Sequence, residues 1–146
     1  MRRSDNIRPV EIEEYGSQWR ATLLRVHRES DCIFRLTLLV DPDRGAEGIV
    51  FTEFYDYGPL GSDPGREYGY SVQAPYAVLD VLADAYSPGI AGPARERLAA
   101  GLASLVAEGV LGDGLALKDN QAKVLAGFQA AGVPAKLSTW FWMNSD

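Results

Sequence analysis

Two neighbouring segments decide the fold, Gln18–Arg28 (QWRATLLRVHR) and Cys32–Val40 (CIFRLTLLV). Both are rich in β-branched, aromatic and leucine residues, and a short polar link, 29–31, separates them. The second segment alternates with a period of two, as a strand with one buried face does. One face is wholly apolar and the other is mixed: Cys32, Phe34, Leu36, Leu38 and Val40 against Ile33, Arg35, Thr37 and Leu39. The pattern predicts two antiparallel strands whose apolar face meets another layer.

A third strand is predicted at Gly48–Tyr57 (GIVFTEFYDY). The link before it, Asp41–Gly45 (DPDRG), places Pro at the first central position of a type I turn and Gly where a positive φ is tolerated. The three strands therefore form an N-terminal meander.

Helical periodicity replaces the strand pattern after residue 74. Pro75–Tyr86 repeats apolar residues on one helical stripe and stops before a Ser-Pro-Gly sequence. A second helix is predicted from Pro93 to Gly109 or Gly112. A third is predicted over 119–131, with Asp119 as its N-cap and a Gly and a Pro as stop signals. The C-terminal Lys136–Met143 (KLSTWFWM) fits a last strand or a packed tail.

These elements predict a single α+β domain over residues 1–146. Its antiparallel sheet has the three-stranded meander and a C-terminal strand, and two or three helices pack on one face. Residues 1–14 are polar without apolar periodicity, so the first of them are expected to be disordered.

Composition narrows the setting of the protein. One cysteine, Cys32, excludes an intrachain disulfide and a cysteine-cluster metal site and fits a reducing compartment. The N-terminal segment has no apolar core of a signal peptide, and no apolar run approaches the ~20 residues of a membrane helix. We expect a cytoplasmic protein that does not bind membranes. The bias of 11 Arg to 3 Lys, with abundant Ala and Gly, suggests a bacterial genome of high GC content.

The net charge of −6 is unevenly distributed. Residues 41–76 contain 7 acidic and 2 basic side chains. A nucleic-acid-binding protein usually needs a basic face, so the sequence argues against nucleic-acid binding. Alternatively, these acids only keep the surface solvated.

Catalytic and cofactor motifs are weak in this sequence. His27 and Cys32 flank a predicted strand link, but a buried core thiol explains Cys32 better than a Cys/His dyad does. Asp41–Gly45 begins like a calcium loop, yet Ala46 and Thr52 stand where that loop needs Gly and Glu. The glycine-rich segments lack the Gly-Lys-Ser/Thr of a phosphate loop. We therefore expect no catalytic residue, no cofactor and no metal.

Residues 51–76 (FTEFYDYGPLGSDPGREYGYSVQAPY) interleave tyrosines with acids around a Gly/Pro-rich turn. Tyrosine supplies wide, stiff, amphipathic contact area, and carboxylates supply a field that attracts a basic partner. Packing of some of these tyrosines in the sheet is the competing explanation. The predicted partner-binding residues are Glu53, Tyr55, Asp56, Tyr57, Asp63, Glu67, Tyr68 and Tyr70.

The sequence thus favours a small acidic protein-binding module that engages and neutralises a basic protein, as bacterial immunity proteins neutralise toxins. The first alternative is a hydrolase-like enzyme that pairs carboxylates of this segment with a tyrosine. The second is a structural or homo-oligomeric subunit whose aromatic segments pair with themselves. Trp140, Phe141 and Trp142 mark a dimer contact if they are exposed, and packing under the N-terminal segment is the alternative.

Overall fold

A computed structural model describes residues 11–28, 32–56, 66–113 and 118–143. They form a single α+β domain on a six-stranded antiparallel sheet, in which the strands lie side by side in chain order. Every strand pairs with the next one along the chain, so the sheet is a simple meander. The strands are β1 (Glu11–Tyr15), β2 (Gln18–Arg28), β3 (Cys32–Val40), β4 (Ile49–Asp56), β5 (Arg66–Ala74) and β6 (Lys136–Met143).

Helices cover one face of this sheet. They are α1 (Leu79–Tyr86), α2 (Ala94–Ala107) and α3 (Asn120–Ala130). The apolar stripes predicted from sequence point inward, and the core between the layers is built from fully buried side chains such as Phe34, Phe51, Leu82, Leu102 and Phe128. Within the described residues no helix lies on the other face, which we call the uncovered face. The predicted class, an α+β domain with helices on one face, is confirmed.

The sheet has two more strands than the sequence predicted. The polar composition of residues 1–14 predicts no strand, but residues 11–14 belong to β1. Residues 1–10, the first of which are predicted to be disordered, lie outside the described residues. β1 escapes a periodicity test because it is an edge strand with every residue exposed. β5 is not predicted as a strand because its glycine and its charged residues are typical of a turn-rich loop.

The predicted turn at Asp41–Gly45 is a short 3-10 helix, Pro42–Glu47. Asp41 caps it, because its carboxylate accepts the backbone N–H of Asp43 at 2.9 Å and the Ser17 hydroxyl at 2.6 Å. The Ser17 hydrogen bond is the main cause that lowers the pKa of the Asp41 carboxyl. Asp119, the predicted cap of α3, precedes that helix but makes no side-chain capping bond.

One irregularity in β2 matters for the site. The register with β3 shifts between Thr22 and Leu24, so Leu23 is an extra residue in β2. Before this bulge the odd residues, such as Ala21, face the helices; after it the even ones, such as Val26, do so. Arg25 therefore lies on the uncovered face. Strict alternation from Ala21 would have put it on the face that the helices cover.

Tyr86 carries a pH-dependent part of the stability. It meets Phe128 edge to face, with ring centroids 5.9 Å apart, and burial raises its pKa to about 12. The unfolded chain ionises near pH 10, so this contribution is complete below pH 10 and is lost as the pH rises towards 12.

We expect the free energy of unfolding of the wild type to fall relative to that of Tyr86→Phe as the pH rises from 9 to 11.5. A fully buried hydroxyl would give up to about 3 kcal/mol, and partial exposure reduces this to about 1 kcal/mol. Urea unfolding of both proteins along this pH series measures it. A difference that stays constant with pH would contradict the assignment.

Candidate functional site

The residues predicted to bind a partner divide between the two faces of the sheet. Glu53, Tyr55 and Tyr70 lie on the face that the helices cover, and Asp56 and Glu67 lie half-buried on the uncovered face. Tyr68 has its backbone in β5 opposite Tyr55. Tyr57 and Asp63 lie outside the described residues. The single interleaved surface that the sequence suggested is therefore not what the strands build.

Glu53 is the clearest departure from the predicted surface. It is 4% exposed, and its Oε2 accepts the Tyr55 hydroxyl at 2.8 Å and the Asn120 side-chain amide at 3.1 Å. Its Oε1 is buried without a hydrogen-bond partner among the described residues. In this fold Glu53 is not accessible to a partner protein; it joins β4 to the start of α3.

Asn120 completes this buried polar link. It is fully buried, its Oδ1 accepts the Gly112 N–H at 3.0 Å, and its Nδ2 donates to the Gly112 carbonyl at 2.7 Å as well as to Glu53. One amide thus ties the loop before α3 to the sheet. These bonds pair the whole Asn120 amide and Glu53 Oε2, as burial of polar groups requires, while Glu53 Oε1 has no partner among the described residues.

The uncovered face instead collects polar side chains in rows that run across the strands. The central row contains hydroxyl residues on five adjacent strands, and its register is Thr22, Thr37, Thr52, Ser71 and Ser138. The hydroxyls of Thr52 and Ser71 are 3.1 Å apart. Most of this row lies in a concavity of about 530 Å³, whose lining includes Arg20, Arg25, Arg35, Thr37, Phe54 and Gln73.

The row next to the hydroxyls brings two arginines together. Arg25 and Arg35 are direct cross-strand neighbours, a placement in which like charges repel. Arg35 lies over the Phe54 ring, 4.4 Å from its centroid, and its Nε is buried without a hydrogen-bond partner among the described residues. Among the other arginines of the concavity, Arg20 lies 3.9 Å from Glu13 and Arg44 lies 3.8 Å from Glu47, in ion pairs that are exposed to solvent.

Two acids lie one row further along the strands. Asp56 and Glu67 are direct neighbours across β4 and β5. Partial burial and the charge of Asp56 raise the pKa of Glu67, while Arg35 acts in the opposite direction. For the carboxylate–tyrosine alternative, Glu53 and Tyr55 form a hydrogen-bonded pair on the helix-covered face, and Asp56 and Glu67 lie on the face opposite to Tyr55 and Tyr70.

The sequence contained part of the signal for the uncovered face. The mixed face of β3 already shows Arg35 and Thr37, and Thr52 and Ser71 take the corresponding positions in β4 and β5. The hydroxyl row can be predicted only if β5 is known to be a strand, and the face on which Arg25 lies can be predicted only if the bulge in β2 is known. Neither is visible in the periodicity.

Other predicted features have plain positions. His27 is exposed opposite Ile33. In β6, the backbone of Trp140 lies opposite Gly69 of β5, and that of Trp142 lies opposite Glu67 of β5. Within the described ranges, no three His, Cys, Asp or Glu side chains are grouped to hold a metal ion, and no helix is both long and apolar enough to cross a membrane.

The chain was compared with known protein families, sequences and structures. No protein-family model, no curated protein sequence and no solved structure matches the chain.

Proposed function

We propose that this protein is a protein-binding module that receives its partner on the uncovered face of the sheet. The observation that carries the proposal is the arginine pair beside the hydroxyl row, in a concavity that the described helices leave open. Side chains that repel each other in the free protein are better explained by a bound group than by folding.

The size of this face suits a protein partner. Six strands at about 4.8 Å and four rows at about 6.7 Å give a face of about 24 by 20 Å. This flat extent of about 480 Å² is a little over half of the ~800 Å² that each partner contributes to a specific complex, so a partner would cover the whole face. The mixture of hydroxyls, arginines and an aromatic ring resembles an interface more than a solvated surface, which is usually richer in Lys and Glu.

Charge supports a basic partner of the kind predicted from the sequence. The chain has a net charge of −6, and acids frame the arginines: Glu11 and Glu13 on β1, and Asp56 and Glu67 at the other side. Such a field speeds association with a basic protein. Neutralisation of a bacterial toxin is the biological role that we propose for this binding, by analogy with immunity proteins.

Thr37→Glu is expected to abolish binding without unfolding the protein. The new carboxylate fills the concavity and lies within reach of Arg35, so the fold is kept while the partner is excluded. We expect the affinity for a partner captured from the source lysate, and then purified, to fall by at least about 100-fold, as for the loss of a central hot spot. Titration calorimetry measures it.

Thr139→Glu is the matched control. Thr139 is exposed on β6 and lies opposite Tyr70, a position of the helix-covered face. It should bind the partner like the wild type. Equal affinities for the wild type and Thr37→Glu, or a loss confined to Thr139→Glu, would show that the partner docks elsewhere.

A further inference from the structure

We propose that Arg25 and Arg35 form a carboxylate-binding site, which receives one acidic side chain of the partner. The site deepens the proposed function, because it states which chemical group of the partner enters the concavity. A basic partner overall is compatible with it, since one acidic side chain on such a protein suffices.

A β-bulge brings Arg25 to this position. The extra residue Leu23 shifts the alternation of β2, and the shift aligns Arg25 with Arg35 on the uncovered face. Bulges often re-aim a side chain next to a functional site. Arg25 is exposed there and makes no ion pair or hydrogen bond to the described residues.

Arg35 has unused hydrogen-bonding capacity. A guanidinium presents five N–H donors in a planar fork that matches a carboxylate, and Arg35 has at least one donor, Nε, that is buried and unsatisfied. Phe54 holds the plane of Arg35 from one side, which limits its rotation. The hydroxyls of Thr37 and Thr52 lie one row away, about 6.7 Å along the strands, and can donate to the same ligand or to the chain that carries it.

Charge balance favours a carboxylate over a phosphate. Arg25 and Arg35 contribute two positive charges, and the acid pair Asp56–Glu67 lies one row away on the side opposite to the hydroxyls. The charges of these two arginines and two acids cancel, so a bound carboxylate leaves one net negative charge among them and a phosphate dianion leaves two, which is the less favourable balance.

A blocked tripeptide, acetyl-glycyl-glutamyl-glycine amide, tests the site on the full chain. We expect it to shift the Nε–Hε NMR signals of Arg25 and Arg35 in a saturable way, with a dissociation constant of the order of 1–10 mM at constant ionic strength. Arg20 and Arg44 should respond less than Arg25 and Arg35, because each already has an acid near its guanidinium, Glu13 at 3.9 Å and Glu47 at 3.8 Å. The glutamine counterpart of the peptide should leave all four signals unchanged.

Three outcomes would overturn the proposal. The first is the absence of a shift specific to Arg25 and Arg35, and the second is an equal response to the glutamine peptide. The third is saturation by inorganic phosphate at a lower concentration than by the glutamyl peptide, which would make the ligand a phosphate group.

Thermal unfolding of Arg25→Gln adds a readout that a structural role would not produce. Removing one of two repelling charges should raise the melting temperature by about 1 to 3 °C while the response to the glutamyl peptide is lost. A lower melting temperature would mean that Arg25 supports the fold, and would contradict the site.

The failure of this site is distinguishable from failure of the proposed function. If Thr37→Glu loses the partner but the glutamyl peptide shifts no arginine signal, the face binds the partner and the carboxylate site is wrong. If the peptide binds while Thr37→Glu retains the partner, the site exists but the docking surface lies elsewhere.

Discussion

Asn120→Asp is expected to lower the free energy of unfolding by about 3 to 5 kcal/mol at pH 7, because it places two carboxylates in contact in the core. The Asn120 amide donates to Glu53 Oε2 at 3.1 Å and to the Gly112 carbonyl at 2.7 Å. An aspartate oxygen in that position donates nothing, so both bonds are replaced by repulsion. Urea unfolding monitored by fluorescence measures the loss.

The pH dependence of this variant follows from the coupled pair. Two buried carboxyls in contact share a proton, so the folded state binds it more tightly than the unfolded chain does. The penalty of Asn120→Asp should therefore shrink below about pH 4 and grow as the pH rises above it. A penalty that does not depend on pH would show that the two side chains do not meet.

The double variant Asn120→Asp with Glu53→Gln is the matched control. It exchanges the donor and the acceptor between the two positions, so one amide again faces one carboxylate. We expect it to regain about half or more of the stability lost in Asn120→Asp, with the coupling measured as a double-mutant cycle. Additive losses would contradict the buried link.

Gly101→Ala is expected to destabilise the protein by about 2 kcal/mol, although alanine favours helices over glycine by about 1 kcal/mol. A Cβ at Gly101 would lie 2.5 Å from the backbone oxygen of Tyr86 and 2.6 Å from its Cβ. Backbone at the end of α1 cannot move away as a side-chain tip can, so α1 and α2 must separate. Thermal unfolding with circular dichroism measures the effect.

Gly127→Ala, in α3, provides the control for this prediction. Its Cβ would meet the hydroxyl of Tyr86, which is the far end of a side chain. Tyr86→Phe removes that atom, so it should rescue Gly127→Ala substantially and leave Gly101→Ala unrescued. Rescue of Gly101→Ala by Tyr86→Phe would show that side-chain crowding, and not backbone approach, sets its cost.

The layers of this fold could be predicted because its inner elements have clear periodicity. Cys32–Val40 alternates as a strand with one buried face, and the apolar stripes of the helices match their observed contacts. β1 and β5 could not be found in the same way. The exposed edge of β1 removes the apolar signal, and in β5 tyrosines replace the usual aliphatic residues beside a glycine.

The candidate site was harder to predict than the fold, because a strand segment shows alternation but not which strands are neighbours. The interleaved acids and tyrosines of residues 51–76 are separated by the pleat: Glu53 is buried with Tyr55, and Asp56 belongs to the other face. Conversely, Arg25 and Arg35 are ten residues apart in sequence and become neighbours only through a bulge. The prediction of a basic partner remains a prediction.

Methyl cross-saturation in the complex tests the central claim most directly. The labelled protein is bound to its unlabelled partner, and saturation of the partner's protons attenuates only the methyl signals that it touches. Docking on the uncovered face predicts attenuation of the Thr37 and Thr52 methyls and none at Val81, which is 47% exposed on α1. Attenuation of Val81 with unchanged Thr37 and Thr52 signals would contradict the account.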